Sequence, residues 1–157
     1  MGNYKSRPPT SCSDELKKKI SEGYAVVRSR LNDDIKARNS AWTPLQIAAF
    51  DGAVDDFIRL LTPESVECRT PQHLSLLHVI CAGQSDAGDL SLVKCLLEEG
   101  ADPCLGGKHQ LPPLHLAAMI GSPSIVQALV TEGASLAAND FVLFTALHCA
   151  TYFANEQ

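Results

Sequence analysis

The chain has 157 residues, 45% of them hydrophobic, a composition that folds rather than stays disordered and is long enough for one sizeable core. The formal net charge of −5 is unevenly spread. Residues 1–40 hold nine Lys and Arg against five Asp and Glu, whereas residues 41–157 hold only Arg59, Arg69, Lys94 and Lys108 against thirteen acidic side chains. A body so poor in cations excludes nucleic acid as its partner, because phosphate binding needs clustered Lys and Arg. No apolar run approaches the ~18 residues of a membrane span, and the first residues lack a secretory segment, so a cytoplasmic or nuclear protein is expected.

The first twelve residues read as a basic arm. MGNYKSRP fits M-G-x-x-x-[ST], which makes Gly2 a candidate for N-myristoylation, with Ser6 in the required place. One acyl chain holds a membrane only marginally, so peripheral attachment would also need the neighbouring Lys5, Arg7 and Lys17–Lys19. Membrane contact is expected only if Gly2 is acylated. From Ser13 to Arg38 the apolar residues Leu16, Ile20, Tyr24, Val27, Leu31 and Ile35 step by four, four, three, four and four, the period of an amphipathic helix assigned here to 13–40. Two readings stay open for it: a cap packed on the next element, or a short coiled coil that self-associates, against which Gly23 and the broken heptad count.

Residues 41–157 repeat. TPLQIAAF begins at Thr43, SLLHVICAG at Ser75, PPLHLAAMIG at Pro112 and TALHCATYF at Thr145, in steps of 32, 37 and 33 residues. The longest step is assigned to a polar loop insertion around Gln84–Asp89. A second element, LVKCLLEEGAD from Leu92 and IVQALVTEGAS from Ile125, carries Gly100 and Gly133, again 33 apart, with an imperfect copy, FIRLLTPESV, from Phe57. A period near 33 around a T-P-L-H-x-A core resembles the ankyrin repeat. The expected fold is all-α, a solenoid of about four helix–turn–helix repeats.

The local chemistry supports the helices. Thr43 and Thr145 can cap helix N-termini, and Pro44 suits a first helical position, where its missing N–H is not needed. Ala48 and Ala49 keep the first helix thin. Gly100 and Gly133 sit where a helix C-cap calls for positive φ, whereas Pro63 closes the first repeat irregularly. The last repeat is incomplete, since Gln157 falls just after its first helix. The chain therefore reads as a fragment with an exposed, fray-prone C-terminal edge.

Gln46, His78, His115 and His148 occupy one slot of the four repeats. A glutamine in that slot says that the position calls for hydrogen bonding rather than titration, so the histidines are read as structural, not as metal ligands or catalysts. The six cysteines (Cys12, Cys68, Cys81, Cys95, Cys104 and Cys149) form no CxxC pair and have no histidine at zinc spacing; reduced, mostly buried thiols are expected. There is no phosphate loop, GxSxG, HExxH, kinase catalytic loop or DFG triplet, and Gly106–His109 is a turn at a repeat boundary. No catalytic residue, metal or cofactor is assigned to this chain. What remains is protein binding, which repeat scaffolds perform with turn tips and inner helix faces. Trp42, His73, His109, Phe141 and Phe144 are the candidate partner contacts, with packing between repeats as the alternative for Trp42 and Phe144.

MGNYKSRP, Cys12–Lys19 in the pattern C-x-D-E-x-K-K-K, Arg69–His78, and Asp140, Phe144, Thr145, Leu147, His148, Ala150 and Tyr152 together resemble the N-terminal ankyrin region of the cardiac troponin I-interacting kinases, serine/threonine kinases of the tyrosine-kinase-like group. Residues 41–68 follow that pattern poorly. The resemblance implies a longer parent with a kinase domain downstream that uses ATP and Mg, a serine-rich tail, binding to cardiac troponin I, and residence in the nucleus and cytoplasm of heart muscle. The competing expectation is a stand-alone or membrane-tethered adaptor.

Overall fold

A computed structural model describes residues 41–83, 86–106, 111–140 and 144–154 (of 86–88 and 153–154 the backbone alone), with isolated positions between Lys18 and Lys36. Within these stretches lie seven α-helices: α1 Pro44–Asp51, α2 Val54–Leu60, α3 Leu76–Cys81, α4 Asp86–Glu98, α5 Pro113–Ile120, α6 Pro123–Thr131 and α7 Ala146–Ala154. Of the assigned 13–40 helix, Lys18, Ser21, Glu22, Ala25, Ser29, Asp33 and Lys36 are helical and exposed. Its apolar positions, and Gly2 with the rest of the arm, lie outside the described residues.

The helices form two rows. First helices α1, α3, α5 and α7 pack side by side, and second helices α2, α4 and α6 pack behind them in the same order. The first row is short and most deeply buried at its middle: every residue of α3 is buried, as are Pro113–Ala117 of α5. Small residues permit this. Ala49 and Ala117 are closed off entirely between neighbouring helices, where a longer side chain would push the repeats apart. The second row is amphipathic, burying Leu92, Val93, Leu96 and Leu97 in α4 and Ile125 and Leu129 in α6.

The capping chemistry is as the sequence implies. Thr43 Oγ1 accepts from the Gln46 N–H at 3.3 Å, and Gln46 Oε1 accepts from the Thr43 N–H at 2.9 Å, a reciprocal box ahead of Pro44. Gly100 and Gly133 end α4 and α6 with φ of 92° and 96°. After α2 the chain leaves in extended form at Leu61 and forms a one-turn 3-10 helix at Pro63–Ser65, the irregular closure that Pro63 announces.

One expectation needs correction. The extra residues of the second repeat are not wholly a loop: Asp86–Asp89 form the first turn of α4, which at 13 residues outruns the 9 of α6. The insertion lengthens a helix, and Asp89, polar in sequence, is buried beneath it, close enough to Gly83 that a Cβ there would lie 3.2 Å from its Oδ1.

Candidate protein-interaction surface

The repeated histidine slot is where the units are joined. Ser75, Pro112 and Thr145 stand just ahead of α3, α5 and α7, and three residues later the imidazole turns back toward the helix start. His78 Nδ1 lies 3.3 Å from the Ser75 nitrogen and 2.7 Å from its Oγ, while Nε2 lies 2.8 Å from the carbonyl oxygen of Leu111, in the next repeat. The backbone N–H of Ser75 can only donate and the Leu111 carbonyl can only accept. Both conditions put the ring proton on Nε2. His115 repeats the link, with Nε2 2.8 Å from the Phe144 oxygen. Each accepting carbonyl belongs to the residue just before the cap of the following first helix.

Burial drives the His78 pKa down to about 4, reinforced by the positive charge of Arg69 and opposed only in part by the Leu111 carbonyl. His78 is therefore a neutral structural donor at physiological pH, in keeping with the glutamine that fills the same slot in the first repeat. Gln46 does the capping half of the job, but its Nε2 reaches Cys68 Sγ at 3.5 Å rather than a carbonyl of the next turn.

His115 Nδ1 is buried without a partner. The cause is sequence: where the other repeats place Thr43, Ser75 or Thr145, this one has Pro112, which has neither hydroxyl nor N–H to donate. Across the ring, His115 meets Asp140 and Cys149, the three donor atoms lying within 4.8 Å of one another. Asp140 Oδ1 accepts the Phe144 N–H at 2.9 Å, and the Cys149 thiol points to Asp140 Oδ2 at 3.8 Å. The Asp140 and Phe144 backbones close the same turn at 2.9 Å. This cluster holds the third and fourth repeats together; spacing in sequence could not reveal it, because its members come from α5, a turn and α7.

The thiols are less uniformly buried than expected. All five described cysteines are free; Cys81 and Cys149 are buried, Cys68 and Cys95 half-buried, and Cys104 exposed. Burial pushes the Cys81 thiol up to about 12, aided by Asp89, which leaves it unreactive.

The candidate contact residues separate. His73 is exposed at the tip of a tight turn, bracketed by the Arg69–Ser75 antiparallel bridge and held at φ 65° by the His73 N–H to Thr70 oxygen bond of 2.8 Å. Arg69 also donates to the His73 carbonyl at 3.2 Å. Trp42, by contrast, is only 8% exposed and meets Phe50 edge-on at 5.7 Å. It is a core residue rather than a surface anchor, and its apolar bulk closes the end of α1. Phe144 is half-buried, with its ring 5.2 Å from that of His148. Trp42 belongs to the core and Phe144 is partly buried against it, each ring meeting an aromatic ring of its own repeat. His109 and Phe141 lie outside the described residues. No described helix is long and apolar enough to cross a membrane.

The sequence model of the family described as ankyrin repeats (3 copies) matches residues 77–157. Among curated proteins, the chain is 36% identical over 137 residues to the rat serine/threonine-protein kinase TNNI3K and 33% identical over 136 residues to its human counterpart, in each case 87% of this chain and 15% of the relative. It is 31% identical over 118 residues to mouse ankyrin repeat and SOCS box protein 16, covering 72% of this chain and 26% of that protein. The chain thus spans about 15% of the length of the kinases it matches, and the shared part is their ankyrin region rather than a catalytic domain. Two rows of stacked helices, the histidine links between successive turns and the family match make this chain a member of the ankyrin-repeat family, a protein-interaction module.

Proposed function

We propose that these residues form the N-terminal docking platform of a serine/threonine kinase of the troponin I-interacting type, presenting a protein substrate or regulator to a kinase domain downstream. One observation carries this reading: the buried polar groups, His78, His115 and Asp140, are committed to joining repeats, so recognition falls to the turn tips, of which the 70–74 hairpin with His73 is the best defined. The thirteen acidic side chains of residues 41–157 favour a basic partner, in keeping with the resemblance to kinases that bind cardiac troponin I. ATP and Mg belong to the downstream domain, and the protein works in cytoplasm and nucleus.

The test is titration of the purified chain with cardiac troponin I, alongside a phosphotransfer assay. Saturable binding without phosphotransfer is expected, and joint replacement of His73, His109 and Phe141 by Ala weakens binding while leaving the melting temperature unchanged. Phosphotransfer by the isolated chain, or no binding, overturns the proposal. The M-G-x-x-x-S start favours a second reading, an acylated adaptor held at membranes through Gly2 and the basic arm. It predicts membrane partition lost in Gly2→Ala, and equal partition of the two forms removes it.

A further inference from the structure

The slot residues Gln46, His78 and His115 each meet the repeat that follows. In sequence register, that repeat offers one residue five before its cap and another four after it. At the first joint these are Thr70 and Val79, at the second Gly107 and Leu116, and at the third Asp140 and Cys149. Thr70 and Asp140 do the same backbone work: each accepts the N–H four residues on, from Leu74 at 3.2 Å and from Phe144 at 2.9 Å. The fold therefore requires neither a carboxylate nor a thiol at these positions. The third joint alone of the three combines them with a histidine. One ligand atom from each of His115, Asp140 and Cys149 lies within 4.8 Å of the others, and the residues are 0%, 3% and 0% exposed.

Pro112 sets His115 apart in a second way. At His78 and His148 the cap N–H of Ser75 or Thr145 points at Nδ1, at 3.3 and 3.2 Å, so that nitrogen stays bare and the ring proton is fixed on Nε2. Pro112 has no N–H, and His115 Nδ1 is buried without a partner. Either ring nitrogen of His115 can therefore present a lone pair while the other carries the proton.

We propose that His115, Asp140 and Cys149 form a zinc site that pins the fourth repeat to the third. Nitrogen, oxygen and thiolate sulfur in one set suit zinc, whereas calcium and magnesium take oxygen. Zinc bonds of roughly 2.0–2.3 Å place tetrahedral ligands about 3.3–3.8 Å apart. Cys149 Sγ and Asp140 Oδ2 already stand at 3.8 Å. One thiolate and one carboxylate neutralise the dication, which allows it to be held in the core. On binding, the S–H bond of Cys149 breaks as the Zn–S bond forms, and the proton leaves to solvent. Water takes the fourth position.

The test titrates the chain, stripped of metal under reducing conditions, with zinc against a chromophoric competitor and separately with cobalt(II). Equimolar saturation, a thiolate-to-cobalt charge-transfer band and a zinc-dependent rise in melting temperature are expected. Cys149→Val, which places the residue of the equivalent Val79 there, should keep the fold and remove the band. It should also weaken zinc binding by about a hundredfold or more, beyond the loss of an outer-shell partner. Asp140→Asn, which can still accept the Phe144 N–H, and Pro112→Ser, which gives Nδ1 a donor, should each weaken zinc binding too. Cys104→Ser, at an exposed thiol, should leave it unchanged. A folded parent that takes up no zinc overturns the site. So does a cobalt band that survives Cys149→Val and disappears in Cys104→Ser.

Discussion

His78 Nε2 and the carbonyl of Leu111, 33 residues apart in sequence, sit 2.8 Å apart in the core, so a side chain of one repeat holds the backbone of the next. Removing it should act on the joint rather than on a single helix. His78→Ala leaves the Leu111 carbonyl and Ser75 N–H without their partner and opens a cavity, at a cost of about 2–4 kcal/mol. His78→Gln should cost less, because Gln46 shows that glutamine can still cap the first helix. Urea unfolding of the two variants checks the order.

The same residue sets a pH dependence. The folded pKa of about 4 lies below the ordinary histidine value of 6.5, so between those values the unfolded chain binds the proton more readily. This contribution to stability is complete above pH 6.5 and lost as pH falls toward 4, by about 3 kcal/mol at most. Stability measured across that window should fall less steeply in His78→Gln than in the parent. An unchanged slope would place the titration elsewhere.

Pro112 leaves His115 Nδ1 without a donor, and Pro112→Ser should supply one, since Ser75 occupies the equivalent cap with similar extended backbone. The new hydrogen bond is worth about 1 kcal/mol, less part of what the proline contributed by stiffening the unfolded chain. Pro112→Ala, which restores the N–H but no hydroxyl, should gain less than Pro112→Ser. Equilibrium unfolding ranks the three proteins.

Leu114 and Leu147 provide a matched pair. Leu114→Ala empties a sealed position and should cost about 2–4 kcal/mol, whereas Leu147→Ala, at an exposed one, should stay within about 0.5 kcal/mol. Equal losses would mean that Leu147 is covered in solution.

The repeat, its period, the caps at Thr43 and Thr145, the helix-ending Gly100 and Gly133 and the structural character of the histidine slot are all legible in the chain itself. They depend on contacts three or four residues long, or on a pattern that recurs often enough to be recognised. Other features waited on the tertiary structure. Trp42 as core, the helical first turn at Asp86–Asp89, the meeting of His115 with Asp140 and Cys149, and the carbonyl that each histidine reaches all involve partners about 30 residues away or a choice between burial and exposure. Local propensity is the same for a tryptophan that packs and one that protrudes; only the neighbouring elements decide which it does.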